Sequence, residues 1–214
     1  WLVNISQMFS RRAPGNTCMS ALMPEESGST ENPINQSKGC GGVMRVAPIG
    51  LYFCDKRCSI DNSDAIGAEA AAITHGHTLG WLPAAALVHI IRKLAENEEE
   101  TILDAVLDSM EAIKRNYPKT ENVDILLSLM QKAIDLSCSE LDDLDAIHLL
   151  GQGWVAEETL AIAIYCSLKY PNDIEKALIA AVNHGGDSDS TGAVTGNILG
   201  ASLGAEKIPQ KYVD

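Results

Sequence analysis

The sequence predicts an all-α fold, a single compact bundle of roughly eight to ten helices around one core. Apolar residues recur at helical spacing in one segment after another, and alternating β-branched runs are nearly absent. The 214 residues are 46% hydrophobic and 21% charged, enough to fill the core of one domain and far from the composition of a disordered chain. No internal period suggests a solenoid, so residues 1–214 read as one domain.

The chain opens at Trp1 in an apolar-periodic stretch (Trp1, Leu2, Ile5, Met8, Phe9) that reads as the end of a helix already under way. An N-terminal portion missing from this sequence is therefore expected. After Pro14-Gly15 a short helix is predicted from Asn16 to Met23, followed by a polar loop from Pro24 to Gly39. Val43 to Phe53 is apolar enough for a buried helix, its start broken by Pro48. Asp61 is the expected cap of a helix running through Ala65, Ala68, Ala71, Ala72 and Ile73 to Gly76. Leu82 to Leu94 follows, with Pro83 in its first turn. Glu98 to Arg115 places Ile102, Val106, Met110 and Ile113 on one face, acids at its start and bases at its end, and stops before Pro118. Val123–Leu136, Val155–Leu168, Ile174–Val182 and Ser190–Leu203 repeat the pattern. Glu98-Glu99-Glu100 reads as a solvated helix start, and His89 and His148 as helix residues without a site role.

Sixteen Lys and Arg against 29 Asp and Glu give a net charge of -13. Such a surface gains nothing from releasing counterions at phosphates, which argues against nucleic acid and anionic membranes as partners and favours a negative site awaiting cations. The six cysteines contain no C-x-x-C pair, so reduced thiols and a cytoplasmic setting are expected; Cys54 and Cys58 lack the further His or Cys that a metal site would need. No apolar run approaches the ~20 residues that span a bilayer, and no signal-peptide pattern opens the chain. Without a large apolar surface stripe, a monomer is expected.

The densest chemistry lies in His184-Gly-Gly-Asp-Ser-Asp-Ser-Thr-Gly192. Asp187, Asp189 and Ser190 stand where a Gly-Gly turn enters a helix, so their oxygens can converge on one point and suit Mg²⁺, Mn²⁺ or Ca²⁺. A plain helix cap is the competing reading, but two crowded carboxylates repel unless a cation joins them. An EF-hand is excluded by its missing acidic positions. Downstream, Gly192, Gly196, Gly200 and Gly204 form a bare stripe that costs about 1 kcal/mol each relative to Ala, offset by close helix packing.

Ser37-Lys-Gly-Cys-Gly-Gly-Val-Met-Arg45 puts three glycines before a helix, a pattern that can offer backbone N–H groups to an anion. Arg45 reads as a structural anchor more than a phosphate partner. His75 and His77, two apart at a helix end, point away from each other, so that at most one meets a ligand. In Gly151-Gln-Gly-Trp154-Val-Ala-Glu-Glu158 the two acids favour the positive end of the helix dipole, and Trp154 either stacks on a base or caps the core.

In this order along nearly the whole chain, these motifs, with Arg12-Ala-Pro-Gly-Asn-Thr17 before them, resemble the ADP-ribosylglycohydrolase family; the Gly-Asp-Ser-Asp-Ser-Thr-Gly form is similar to that of its arginine-directed members. The resemblance implies an all-α fold holding two Mg²⁺ or Mn²⁺ ions. The implied reaction releases ADP-ribose from a modified side chain, most readily arginine, by cleaving the bond at ribose C1″. Asp187, Asp189 and Ser190 match its metal ligands. Ser37, Lys38, Gly39, Gly41 and Gly42 match its phosphate loop, and His75, with Gly15 and Gly153, falls on the substrate side. The partner implied is an ADP-ribosylated protein or a small ADP-ribosyl compound.

Two departures stand out: Cys40 where some members carry Asn, and Lys38 where some carry an aromatic. The family's N-terminal G-D-A-x-G and T-D-D-T stretches, with its remaining metal ligands and its water-activating carboxylate, do not occur in this sequence. The catalytic residue is accordingly expected upstream. An inactive ADP-ribose-binding or crystallin-like member of the same fold is the alternative.

Overall fold

The computed structural model describes residues 15–54 and 58–212. The apolar stretch at Trp1–Phe9 and the start of the Arg12–Thr17 motif lie outside these residues. Among the described residues ten α-helices follow in order: α1 (Asn16–Ala21), α2 (Ala47–Tyr52), α3 (Ile60–Ala72), α4 (Thr78–Glu96), α5 (Ile102–Asn116), α6 (Val123–Ser137), α7 (Asp143–Leu150), α8 (Ala156–Lys169), α9 (Ile174–Val182) and α10 (Ser188–Leu203). Short 3₁₀ turns sit at Val43–Arg45, Ala205–Lys207 and Gln210–Tyr212. Among the described residues the one β-type pairing is an isolated bridge between Gly39 and Val155. The all-α expectation holds.

Two helices form the axis of the bundle. In α4 every residue from Leu79 to Arg92 is buried, and in α8 so is every residue from Ala156 to Ser167 except Glu158. Helices this apolar on all sides must be surrounded. Helices α2, α3, α5 and α10 pack on α4, and α6, α9 and α10 pack on α8. Several polar groups buried in this packing pair with one another: His89 Nδ1 lies 2.7 Å from Asp64 Oδ2, and Arg92 donates to the Cys58 and Ser59 carbonyls and to Ser63 Oγ, while Asp64 Oδ1 and His89 Nε2 have no hydrogen-bond partner among the described residues.

Several helix starts differ from the sequence expectation, each for a local reason. Ser59, not Asp61, caps α3, because Ser59 is extended and its Oγ accepts from Asn62 N. Asp61 lies inside the first turn and instead accepts Arg115 Nη2 and Asn116 Nδ2 of α5, both at 2.8 Å. This helix ends at Ala72, ahead of Gly76. Helix α4 begins four residues before Leu82, at Thr78, where His77 Nδ1 accepts Leu79 N at 3.0 Å. Pro83 therefore lies inside the helix rather than in its first turn, and Leu79 O lacks the usual donor four residues on. Thr101 caps α5, so Glu98–Glu100 form the turn before that helix rather than its start. The stripe on α10 packs tightly at one end only. A Cβ on Gly192 would meet Val182 Cγ1 at 2.6 Å, whereas one on Gly200 meets nothing within 4 Å and Gly204 ends the helix at φ +74°.

Candidate functional site

Three loops meet at one end of α8 and α10. The first is the glycine loop, Ser37–Gly42. It is held from one side by Asn35, whose Oδ1 accepts Ser37 N at 2.9 Å and Gly76 N at 3.1 Å while its Nδ2 donates to Thr74 O. On the other side Ala156 N donates to Lys38 O at 2.9 Å and Cys40 N to Trp154 O at 3.2 Å. The second loop, Gly151–Val155, is thus stitched to the first. It is joined to the third, His184–Asp187, by Asp187 N donating to Gln152 O at 2.7 Å.

His75 lies beneath the glycine loop, 3% exposed; Cβ atoms added at Gly39 and Gly41 would meet its ring at 3.5 and 3.1 Å. Its Nδ1 is 2.8 Å from Thr74 Oγ1, which accepts Arg45 Nη2 at 2.7 Å. Burial, and secondarily the Arg45 charge, push its pKa down to about 4, so the ring is neutral at pH 7. Arg45 also donates to Ala70 O at 2.7 Å and is the anchor expected of it. The two histidines do diverge, His77 serving as a helix cap and His75 as the floor of the loop. Gly42 is buried against Gly80 O, and Gly15 is the exposed N-cap of α1. Among the described residues the backbone N–H groups of Gly41 and Gly42 have no protein acceptor. The half-buried Ser37 accepts Gly39 N, and Lys38 forms an ion pair with the buried Glu157.

Asp187 occupies the N-cap position of α10 but makes no side-chain cap bond. Its Oδ2 instead accepts the Cys40 thiol at 2.7 Å. Ser190, 2% exposed, has its hydroxyl within reach of Cys40 Sγ at 3.4 Å and Met44 Sδ at 3.3 Å, either of which can take its one proton. Asp187 and Asp189 stand close enough for each carboxylate to shift the other. Burial, then the Asp189 carboxylate, raises the Asp187 carboxyl above its ordinary range, while the hydrogen bond from Asp187 lowers that of Asp189. Desolvation and the neighbouring Asp187 push the Cys40 thiol up to about 11. Two carboxylates and a hydroxyl converging here are hard oxygen donors that fit part of a divalent-cation shell. Among the described residues no group of three or more His, Cys, Asp or Glu completes one.

The structure thus brings Ser37, Lys38, Gly39, Gly41 and Gly42 together with Asp187, Asp189 and Ser190 through the Gly151–Val155 segment, whose Gly153 packs on Thr191 of α10. Trp154 is 57% exposed and does not cap the core. It lines a cleft of about 470 Å³ with His148, Gly151, Gln152, Val155 and Glu158. Cys40 as a partner of Asp187, and Glu157 as the partner of Lys38, were not foreseen. The sequence signal for the second was an unpaired Lys in one motif and an extra acid in another.

A profile of the ADP-ribosylglycohydrolase family matches residues 1–214. The mouse protein ADP-ribosylhydrolase ARH3 is 29% identical over 202 residues, covering 82% of this chain and 52% of its own length. The human protein of the same name is 27% identical over 202 residues, with 82% and 53% covered. An uncharacterised protein of Archaeoglobus fulgidus is 31% identical over 179 residues, with 83% and 53% covered. The chain spans about half the length of the curated relatives it matches.

Proposed function

The chain belongs to the ADP-ribosylglycohydrolase family, and on that premise we propose that it forms one side of the active site of a hydrolase that releases ADP-ribose from a modified side chain. The observation that carries this reading is Asp187: it holds a helix-cap position, makes no cap bond, and stands beside the Asp189 carboxylate, which with burial holds its own carboxyl above the ordinary range. A capping role leaves that arrangement without purpose. A cation held by both carboxylates removes their repulsion.

Asp187, Asp189 and Ser190 would hold part of the shell of bound divalent cations, two Mg²⁺ or Mn²⁺ by the family likeness. Bound there, the ions supply positive charge that lets an anionic diphosphate and the ribose hydroxyls enter an acidic cleft. The glycine loop contributes the free N–H groups of Gly41 and Gly42 at the start of a 3₁₀ turn, suited to a phosphate oxygen. Lys38 lies beside this loop, its charge committed to Glu157. The neutral His75 supports the loop from below and adds no charge. Trp154 offers an exposed ring face beside the same segment, where a base can stack.

The bond broken joins ribose C1″ to the side-chain atom of the carrier. Water oxygen takes its place through an oxocarbenium-like transition state, and the leaving atom takes up a proton. We assign the water-activating group to none of the described residues. Arginine is the proposed carrier because of the Gly-Asp-Ser-Asp-Ser-Thr-Gly form, and the six unpaired thiols support a cytoplasmic protein. No helix among the described residues is long and apolar enough to cross a membrane.

The full-length protein should release ADP-ribose from an arginine-linked peptide, measured chromatographically, faster than from a serine-linked one, and EDTA should stop the release. Faster release from serine would reassign the carrier. ADP-ribose binding without any release would leave the inactive-binder reading in place of the hydrolase.

A further inference from the structure

Glu157 and Glu158 begin α8 side by side, where both are favoured by the positive end of the helix dipole. Their carboxylates serve different loops. Glu157 pairs with Lys38 of the glycine loop. Glu158 turns back beneath the Gly151–Gly153 turn, where its Oε2 accepts Gln152 N at 2.9 Å and Gly153 N at 3.1 Å. The turn passes this constraint on: Gln152 O accepts Asp187 N at 2.7 Å, and Thr159 Oγ1 donates to Gly153 O at 2.7 Å.

Three missing side chains mark the same path. A Cβ on Gly151 would fall 2.6 Å from Glu158 Oε2, one on Gly153 would meet Thr191 Cγ2 at 2.7 Å, and one on Gly186 would overlap Gln152 O outright. Gly151 and Gly153 also have φ of +134° and +78°, so the turn takes a backbone shape that needs glycine as well as the space. The route from Glu158 to Asp187 is therefore closely packed throughout, side chain against backbone at Gly151 and Gly153 and backbone against backbone at Gly186.

The geometry points to Glu158 as a positioning residue that sets where the Asp187 carboxylate stands, without itself touching cation or substrate. This rests on the proposal that Asp187 is a metal ligand. A carboxylate accepting two backbone N–H groups fixes the peptide planes of the turn, and with them the direction of the Gln152 carbonyl that holds Asp187. Outer partners that orient a ligand are typically worth roughly 10-fold to 100-fold in metal affinity.

The test uses the full-length protein with Mn²⁺ as probe, its binding followed by the electron paramagnetic resonance of free Mn²⁺ and its loops by amide hydrogen exchange. Glu158→Ala should weaken Mn²⁺ binding by roughly 10-fold or more and speed exchange at Gln152, Gly153 and Asp187. Glu158→Gln keeps an oxygen facing both N–H groups while removing the charge, and should bind Mn²⁺ close to wild type. Unchanged affinity in Glu158→Ala alongside a freed turn overturns the inference. So does Glu158→Gln as weak as Glu158→Ala, which would make the effect one of charge. Should Glu158→Ala fail to fold, Gly151→Ala displaces the same side chain from the other partner, and wild-type Mn²⁺ affinity there would be equally fatal. If wild type itself binds no Mn²⁺, the metal-dependent reading fails separately, and exchange at the Asp187 amide decides the positioning role.

Discussion

Gly185 and Gly186 are adjacent, yet the structure gives them opposite responses to alanine. Neither has positive φ, so backbone strain does not separate them. A Cβ on Gly185 meets nothing within 4 Å, whereas one on Gly186 would overlap the Gln152 carbonyl, which is backbone and cannot rotate away. Gly186→Ala must therefore part the 151–155 and 184–187 loops. The overpacking costs about 1–3 kcal/mol, and the loss of the 2.7 Å bond from Asp187 N to Gln152 O adds about 0.5–1.5 kcal/mol. With about 2–4 °C of melting temperature per kcal/mol at this chain length, Gly186→Ala should melt roughly 3–18 °C below wild type. Gly185→Ala should be neutral or gain up to about 1 kcal/mol by restricting the unfolded chain. Thermal and urea denaturation followed by circular dichroism measure both. Equal stabilities for the two variants would refute the claim that these loops are in contact at Gly186.

Lys38→Met should cost about 3 kcal/mol in urea denaturation, because it strands the buried Glu157 carboxylate, whose Oε2 already lacks a partner. Adding Glu157→Gln should restore more than half of that loss; simple additivity of the two changes would contradict the pairing. His75 has a folded pKa lowered to about 4, so its contribution is fully present above the unfolded value near 6.5 and is lost as pH falls through 4. That contribution is about 3 kcal/mol, and His75→Gln should flatten the difference in stability between pH 7 and pH 4.5; an unchanged slope would refute it. Tyr165 and Tyr170 both donate to Asp143, at 2.6 and 2.7 Å. Asp143→Ala, which leaves the buried Tyr165 hydroxyl unpaired, should cost about 2–3 kcal/mol against about 1 for Tyr170→Phe, and the reverse order in denaturation would be evidence against that clasp.

Most helices were legible because they carry their own period and stop signal, as Ile174–Val182 shows by matching its predicted bounds, whereas the eight-residue Asp143–Leu150 was not predicted and Val43–Phe53 divides into a 3₁₀ turn and the short helix Ala47–Tyr52. Starts were less legible where several residues could cap. Ser59 and Asp61 are both good caps, and the choice fell to Ser59 because Asp61 is drawn to Arg115 and Asn116 on a distant helix. Asp187, Asp189 and Ser190 could be picked out by chemistry and local spacing. The bond from Cys40 to Asp187 spans 147 residues of sequence and has no local signature. Glu158 was visible only as an acid at a helix start, since nothing in the sequence says that a side chain will fold back onto the turn before it.

The most direct test of the site is hydrolysis by the full-length protein carrying Asp187→Asn or Asp189→Asn, assayed on ADP-ribosyl-arginine at limiting and at excess Mg²⁺. Asp187 makes no side-chain cap bond, and Asn keeps the oxygen that accepts the Cys40 thiol, so stability should change little while a charge is removed from the cation's shell. The account predicts that release of ADP-ribose falls at least 100-fold at limiting Mg²⁺, on the order of a lost catalytic metal contact, with partial recovery at excess Mg²⁺. Release at the wild-type rate in either variant at limiting Mg²⁺ would contradict it.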